Sequence, residues 1–161
     1  MLDQDSFKEM MAQVAATVTV VTARGDDGPV GLTVSAFQSV SVDPPIVLVC
    51  LGKWVGTLDV FLEGEGFTVN FLPAGSEDTA MLFATKGTDR FGSGEWSMPD
   101  APAGPVLDVA IGHFACRTVQ KLEMGDHWVL FGEVADGGVT AEGVDPLVWH
   151  RRGFVALDGG A

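Results

Sequence analysis

Short β-branched runs separated by Gly- and Pro-rich turns recur along the whole chain and limit the folds open to it. "TVTVVTA", "GLTVSAFQSVSV", "IVLVCL" and "GFTVNFL" have the composition and length of strands. Three later regions continue the pattern, with tight turns predicted at "MGD" and "ADGG": "VLDVAIGHFACRTVQKLEM", "DHWVLFGEVADGGV" and "DPLVWHRRGFVAL". Because the strands do not alternate with long helices, the sequence predicts a mainly β, antiparallel barrel or sandwich rather than a Rossmann fold.

Three short helices are predicted between the strands. The first has capping-box spacing at Ser6 and Glu9, and its apolar residues share one face that we expect to pack on the core: Phe7, Met10, Met11 and Val14. "GTLDVFLEG" and "SEDTAMLFATKG" predict two more helices, which begin behind Thr57 and Ser76. The continuous apolar run "IVLVCL" predicts a central strand covered on both faces.

The length and composition of the chain exclude several classes of protein. Its 161 residues are enough for one substantial core, so residues 1–161 are expected to form a single domain. Hydrophobic residues make up 47% and charged residues 19%, which excludes intrinsic disorder and leaves an apolar excess that a subunit interface could cover. The formal net charge of -13 argues against nucleic acid as a partner. The sequence shows neither a membrane-length apolar run nor a signal peptide, so we expect a cytoplasmic protein that does not enter a membrane.

The sequence also lacks the common catalytic and metal-binding motifs. It contains neither the GxGxxG of a Rossmann turn nor the GxSxG of a serine hydrolase. His113, His127 and His150 lie on separate segments without metal-ligand spacing, so no metal site is expected. Cys50 and Cys116 lie in apolar runs and are predicted to be buried, reduced thiols.

Hydroxyl side chains recur with period two in "GLTVSAFQSVSVDPP": Thr33, Ser35, Ser39 and Ser41. Thr33 and Ser35 are predicted to project from one face of a strand, where they could form a ledge that hydrogen-bonds the polar edge of a ring. Strand hydroxyls that face solvent would give the same pattern. Taken alone, the pattern favours this second interpretation.

Three other stretches could complete a ligand site. "FATKGTDRF" brings together Lys86 and Arg90, as phosphate recognition requires, although two solvated cations are an equal alternative. "GDHW" places His127 beside an aspartate that could orient its ring, or forms only a surface turn. "PLVWHRRGF" combines Trp149 with two arginines that could stack on or cover a ring, and a core tryptophan with exposed arginines is the alternative.

Taken in order, these pieces resemble the flavin reductase-like family, the short-chain NAD(P)H:flavin oxidoreductases that supply reduced flavin to two-component monooxygenases. The matching segments span residues 10 to 157: "TVVTA", "GLTVSAFQSVSVDPPIVLVCL", "GFTVNFL", "FATKGTDRF" followed by "EW", "GDHWVLFGEV" and "PLVWHRRGF". The resemblance implies a flavin-binding split β-barrel, antiparallel and Greek-key-like, with a few short helices. It also implies a homodimer with the flavin near the subunit interface.

The resemblance implies roles for individual residues. The isoalloxazine ring is bordered by Thr33, Val34, Ser35 and Ala36. Three segments approach the ribityl chain and phosphate: Ser39, Val40 and Ser41; Cys50, Leu51, Lys53, Trp54 and Thr57; and Lys86, Arg90 and Phe91. His127 is implied to be the catalytic residue on the nicotinamide side of the flavin, and Trp149 and Arg151 help to enclose the site.

One segment departs from the family pattern. After the "VLVC" strand many members have an Asn, a basic residue and serines before the threonine, whereas this chain has "GKWVG" before Thr57. The phosphate-side serines are missing, which leaves FMN and FAD both open. Lys53 could replace the lost hydrogen bonds with charge, or Trp54 could stack on an adenine or nicotinamide ring.

The implied activity is NAD(P)H-dependent flavin reduction, in which hydride passes from nicotinamide C4 to N5 of FMN or FAD. The donor is NADH or NADPH, and the acidity of the chain weakly disfavours the extra phosphate of NADPH. The expected partner is a separate flavin-dependent monooxygenase that receives reduced flavin by diffusion. The alternatives are a flavin-binding or electron-transfer barrel without multiple-turnover reductase activity, and a barrel interaction protein without a ligand.

Overall fold

Antiparallel strands make up most of the computed structural model, which describes residues 2–92 and 94–157. Three short helices interrupt the strands: α1 (Gln4–Met11), α2 (Leu58–Glu63) and α3 (Glu77–Ala84). The strands are, in chain order, β1 (Ala16–Thr17), β2 (Thr19–Gly25), β3 (Gly28–Val34), β4 (Phe37–Val42), β5 (Pro45–Gly52), β6 (Gly66–Phe71), β7 (Trp96–Ser97), β8 (Val106–Leu107), β9 (Gly112–Met124), β10 (His127–Val139), β11 (Val148–His150) and β12 (Gly153–Val155). The prediction of a mainly β, antiparallel fold with a few short helices is confirmed. Across the two described ranges, every helix falls short of the length and apolar character needed to cross a membrane.

Seven strands form one sheet in the order β3-β2-β6-β9-β10-β5-β4. β3 and β4 follow each other in the chain but form opposite edges of this sheet, and only Ser35 and Ala36 separate them. The three peptide steps from Val34 to Phe37 span at most about 11 Å, whereas the edges of a flat seven-stranded sheet would lie about 29 Å apart. The sheet therefore curls until its two edges approach each other. The sequence predicted a single strand here, so the break at Ser35–Ala36 is a correction.

The main hydrophobic core fills the inside of the curled sheet. Leu32 and Val34 of β3 pack in the same buried cluster as Val49 and Leu51 of β5, although these strands lie near opposite edges. Phe61 of α2 is also part of this cluster, so the helix closes one end of it. Burial of such side chains contributes about 1.5–3 kcal/mol each, which makes the curled form strongly favoured over a flat sheet.

A buried polar layer covers part of the outer face of the sheet. We call it the polar seam, and it joins β2 and β6 to the segment 104–107 through Thr22, Thr68, Asn70, Gly104, Pro105 and Leu107. Thr22 and Thr68 donate to the carbonyls of Pro105 and Gly104, each at 2.6 Å. The Asn70 amide donates to the Pro105 carbonyl at 3.3 Å and accepts from the Leu107 N–H at 2.9 Å. Because every one of these groups finds a partner, the seam is stable although it excludes water.

A small sheet of β1, β11 and β12 lies beside the large one and places the C-terminal aromatic residues. Its hairpin turns at Arg151 and Arg152, which adopt positive φ angles of 50° and 63°. Leu147 packs with Leu72 and Phe83 in a second buried cluster, against which Trp149 is half-buried. This arrangement holds Trp149 close to β3 and α3.

The first helix differs from its prediction in two respects. Asp3, rather than Ser6, caps α1, because its carboxylate accepts the N–H groups of Asp5 and Ser6 at 3.1 and 2.9 Å. None of the helix residues is buried, and its apolar face is exposed instead of packing on the core. The apolar spacing predicted the helix correctly, but it did not predict that the apolar face would lie away from the core of the chain.

Two strand predictions are also corrected. β5 is the second strand from an edge of the sheet, and its alternate residues Ile46, Leu48 and Cys50 are only half-buried, so it is neither central nor covered on both faces. The predicted turn at "ADGG" is wrong, because β10 continues through Gly137 and Gly138, which pair with Phe114 and His113. Instead of a turn, the strand contains a β-bulge between Val134 and Asp136, after which its pairing with β9 continues.

Candidate functional site

Three adjoining clefts form one long groove on the side of the sheet where β3, α3 and the small sheet meet. The basic cleft, of about 580 Å³, is lined by Trp54, Thr57, Lys86 and Arg90 among others. It shares Thr33 and Ala84 with a middle cleft of about 210 Å³. The middle cleft shares Ser35 and Trp149 with a third, the helix cleft, of about 720 Å³, which also borders the C-terminal end of α1. The groove can therefore take an elongated ligand.

Cationic and hydroxyl groups are concentrated in the basic cleft. α3 ends at Ala84, and Gly87, with a φ of +76°, turns the chain so that Lys86 and Arg90 line the same cleft. Arg90 donates from Nη1 to the Gly31 carbonyl at 2.7 Å and from Nη2 to the Thr85 carbonyl at 2.8 Å. Its guanidinium is thus fixed between β3 and the loop after α3, while Lys86 is exposed.

Two buried polar atoms in this cleft lack hydrogen-bond partners. Among the described residues only four buried side-chain nitrogen or oxygen atoms are unpartnered, and two of them are Thr57 Oγ1 and Arg90 Nε. Thr57 precedes α2, but its side chain makes no capping bond to the helix. Desolvation by burial also lowers the pKa of Arg90, since it disfavours the cation. Both atoms are hydrogen-bond donors of residues that line the cleft, so a ligand that reached them would offset the cost of leaving them unpaired.

The middle of the groove is narrower and has an aromatic wall. Thr33 lines it, but its hydroxyl donates to the Ala80 carbonyl and so ties β3 to α3. Ser35 is exposed and lines both the middle and the helix cleft. Trp149 forms the opposite wall, with its ring held edge to face against Phe154 at a centroid distance of 5.0 Å. A flat ring can lie here between a hydroxyl edge and an indole.

His127 lies beside the basic cleft, next to Trp54. The two rings are edge to face, with centroids 4.9 Å apart and planes at 84°. His127 Nδ1 lies 2.7 Å from Asp126 Oδ1, and this hydrogen bond lowers the pKa of Asp126. Because an ionised carboxylate can only accept, Nδ1 carries the proton and Nε2 is the nitrogen left for a ligand.

The structure separates the sequence-predicted residues into two groups. Within the described part of the chain the groove is lined by Thr33, Ser35, Ala36, Ser39, Trp54, Thr57, Lys86, Arg90 and Trp149. The other predicted residues do not line any of the three clefts in the ranges described: Val34, Val40, Ser41, Cys50, Leu51, Lys53, Phe91, His127 and Arg151.

The residues of the second group have other contacts. Lys53 forms an ion pair with Glu123, whose Oε1 lies 2.6 Å from Nζ, and so is not turned toward the basic cleft. Leu51 is buried in the core, and burial raises the pKa of the half-buried Cys50 thiol. Phe91 packs edge to face on Phe83 behind Arg90, with centroids 5.3 Å apart.

Sequence reasoning missed two contributors to the groove. Arg151 donates from Nε to Gln13 Oε1 at 3.1 Å, whereas its neighbour Arg152 lines the helix cleft. The sequence analysis noted both arginines of "PLVWHRRGF" but assigned only Arg151 to the site, because it did not predict the hairpin turn that separates their side chains. The second contributor is the segment after α1, including Val14, for which the sequence offered no signal beyond the apolar helix face. Among the described residues, the acidic, His and Cys side chains do not form a cluster of three or more that could hold a metal ion.

Comparison with known proteins gives a consistent result. The "Flavin reductase like domain" family matches residues 11–158. A flavin reductase (NADH) of Kitasatospora aureofaciens is 39% identical over 156 residues, which cover 96% of this chain and 82% of that protein. The reductase component of a 4-nitrophenol 4-monooxygenase/4-nitrocatechol 2-monooxygenase of Rhodococcus opacus is 35% identical, over 95% of this chain and 80% of its own.

The fold of the chain is also similar to that of a solved structure. The NADH:FAD oxidoreductase SgcE6 of Streptomyces globisporus C-1027, in complex with NAD and FAD fragments, superposes with a TM-score of 0.92 at 29% identity, covering 99% of this chain and 95% of that one. The antiparallel fold thus has its counterpart in a flavin-reducing enzyme. The chain belongs to the flavin reductase-like family.

Proposed function

We propose that this protein is an NAD(P)H-dependent flavin reductase that binds FMN or FAD along the groove. The observation that carries the proposal is the pair of unpartnered buried atoms, Thr57 Oγ1 and Arg90 Nε, in a cleft that also contains Lys86. A flavin phosphate fits these donors, and the aromatic middle cleft fits the ring that is attached to it. A bound flavin would supply the centre that accepts hydride from the nicotinamide.

The residues of the chain then bind, orient and shield the reactants. Arg90, Thr57 and Lys86 hold the phosphate; Thr33, Ser35 and Trp149 border the isoalloxazine ring. His127 contacts the nicotinamide cofactor through Nε2, and Asp126 fixes the orientation of its ring. Because hydride transfer needs close, parallel rings rather than an acid–base pair, positioning is the main task of the protein.

Replacing Thr57 by valine should lower flavin affinity without lowering the free energy of unfolding. The change keeps the shape of the side chain and removes a buried hydroxyl that has no partner and makes no capping bond. The free energy of unfolding should therefore stay the same or rise by up to about 1 kcal/mol, while flavin affinity falls about tenfold. Urea unfolding and flavin fluorescence titration measure the two quantities. An unchanged flavin affinity would show that this hydroxyl does not contact the ligand.

Replacing His127 by alanine should act on the nicotinamide rather than on the flavin. We expect KM for the nicotinamide to rise about tenfold, because one oriented hydrogen bond is lost, with flavin affinity changed by less than about twofold. Steady-state rates measure KM for the nicotinamide, and fluorescence titration measures flavin affinity. Asp126→Asn should give a smaller effect of the same kind, since the amide keeps the ring in place but weakens the hydrogen bond. A variant that loses flavin and nicotinamide binding equally contradicts the assigned role.

The activity itself is tested with purified protein, excess flavin and nicotinamide in four pairings of FMN or FAD with NADH or NADPH. We expect nicotinamide absorbance to fall through many turnovers per protein in at least one pairing. Reduction of a single flavin equivalent would instead favour a flavin-binding or electron-transfer protein. Unchanged flavin fluorescence on titration would exclude a flavin ligand altogether.

We further propose that the curled sheet is a split β-barrel and that the protein is a homodimer. Two apolar surfaces support the dimer: the exposed face of α1 with Phe7 and Met10, and the outer sheet face, where Leu48 and Phe131 are paired and only half-buried. Exposed apolar surface of this kind is typical of subunit interfaces. Light scattering coupled to gel filtration measures the mass, and a monomer at micromolar concentration contradicts the dimer.

We also propose a cytoplasmic location and a monooxygenase partner. Cys50 and Cys116 are both free, as is usual in a reducing compartment, and burial raises the pKa of the Cys116 thiol to about 12. The similarity to the Rhodococcus opacus reductase component supports a separate monooxygenase that takes up the reduced flavin. Because the groove is open to solvent along its length, the flavin can leave after reduction and act as a substrate.

A further inference from the structure

Trp54 is a large aromatic side chain at the edge of the basic cleft with more than half of its surface exposed. Its relative exposure is 59%, and it lines the basic cleft beside Val55 and Gly56. Its indole is therefore available for contact with a ligand in the same cleft.

The indole is held in place from behind. A Cβ on Gly52 would lie 2.4–2.7 Å from three carbons of the six-membered ring, so one face of the indole packs flat on this backbone. The loop is closed by a hydrogen bond from Val55 N to the Gly52 carbonyl at 3.1 Å. With this face covered by the backbone, the 59% of Trp54 that is exposed lies on the side of the ring turned away from Gly52. The ring is thus presented in a fixed orientation, so little rotamer entropy is lost when a ligand stacks on it.

We propose that the exposed face of Trp54 is a stacking site for the adenine ring of a dinucleotide whose phosphate lies at Thr57 and Arg90. This inference rests on the proposed flavin site. Trp54 precedes Thr57 by three residues and lines the same cleft, so it lies beside the phosphate rather than beside the isoalloxazine ring. FMN ends at its phosphate, whereas FAD continues to an adenine, and NAD(P)H also carries one. Trp54 therefore contacts a part of the ligand that FMN lacks.

The charges around Trp54 favour a neutral ring over a further phosphate. Lys53 is paired with Glu123 at 2.6 Å, and Asp126 is hydrogen-bonded to His127, so free cationic charge is concentrated on the other side of the cleft at Lys86 and Arg90. A neutral purine gains stacking energy here without meeting unpaired negative charge. The arrangement provides phosphate recognition and base stacking at neighbouring points of one cleft.

The test compares Trp54→Leu, which keeps apolar bulk over Gly52, with Trp54→Phe, which keeps an aromatic face. Dissociation constants for FAD and FMN are measured by flavin fluorescence without nicotinamide, and thermal unfolding confirms that each variant is folded. If the adenine belongs to FAD, the ratio of the FAD to the FMN constant rises about tenfold in Trp54→Leu and less than about threefold in Trp54→Phe.

A second experiment tests whether the adenine that stacks on Trp54 belongs to NAD(P)H. With FMN as acceptor, KM is measured for NADH and for reduced nicotinamide mononucleotide, which has no adenine. A rise in the NADH value alone in Trp54→Leu, again about tenfold, supports stacking of the donor's adenine. Equal changes for FAD and FMN together with equal changes for the two donors overturn the inference and leave the reductase proposal intact. Wild-type protein that binds neither flavin overturns both.

Discussion

Arg90→Met is expected to weaken flavin binding about 100-fold, because the guanidinium contributes in two ways. It offers a buried, unpartnered Nε to the phosphate, and its two terminal nitrogens bind the carbonyls of Gly31 and Thr85. Without it the loop after α3 is no longer fastened to β3, so Lys86 also loses its position. Flavin fluorescence titration of the variant measures the loss directly.

Lys86→Met is the matched control for Arg90. Both changes remove one positive charge from the same cleft, but Lys86 is exposed and does not fasten the loop. We expect its effect to be only about fivefold and to shrink as salt is raised, since exposed charges are screened. The Arg90 effect should persist in high salt, and Arg90→Lys should resemble Arg90→Met because an ammonium cannot reach both carbonyls. Equal, salt-sensitive losses in both variants would mean that Arg90 acts only through its charge.

Local patterns in the sequence were sufficient to predict most strands. Runs such as "IVLVCL" and "GFTVNFL" are β-branched and bounded by turn residues, so strand formation there depends on neighbours in the sequence. The path from β3 to β4 was not predictable in this way. The period-two pattern continues through Ser35 and Ala36, and the chain breaks there only because the sheet curls and brings its edges together. Such closure depends on all seven strands.

In the candidate site, too, local sequence predicted some features, and others depended on the whole fold. Lys86, Arg90 and Thr57 were singled out from short stretches, but the sequence could not distinguish a half-buried arginine from a solvated one. Lys53 was a reasonable phosphate ligand by its position, and its partner Glu123 is 70 residues away in the chain. Long-range ion pairs of this kind leave no local signal, so the pairing of Lys53 emerged only from the fold.

The polar seam was not predicted either. Thr22, Thr68 and Asn70 alternate with valines, which in a single sequence is typical of a strand with one face in water. In the structure that face is covered by the segment 104–107, and the hydroxyl and amide groups bind its backbone. Alternation identifies two faces of a strand, but it does not say whether the polar face meets solvent or another part of the chain.

Gly104→Ala should be the most destabilising single change in this seam. A Cβ at Gly104 would lie 2.3–2.4 Å from the backbone of Thr22 and Ala23, which cannot yield as a flexible side chain can. The segment must move away from β2, and the hydrogen bonds from Thr68 and Thr22 to Gly104 and Pro105 are strained or lost. We expect the free energy of unfolding to fall by at least about 3 kcal/mol, from overpacking and from buried polar groups left unpaired.

Gly138→Ala is the control for this prediction, because a Cβ there meets nothing within 4 Å. It should change the free energy of unfolding by less than about 0.5 kcal/mol in urea titrations monitored by tryptophan fluorescence. A Gly104→Ala protein as stable as the wild type would show that the segment is not packed on β2 as described. Since β2 pairs along its whole length with β3, which carries Thr33, loosening the seam should also weaken flavin binding. The Gly104 variant therefore tests whether the segment 104–107, which packs on β2, also supports the groove beside the neighbouring strand β3.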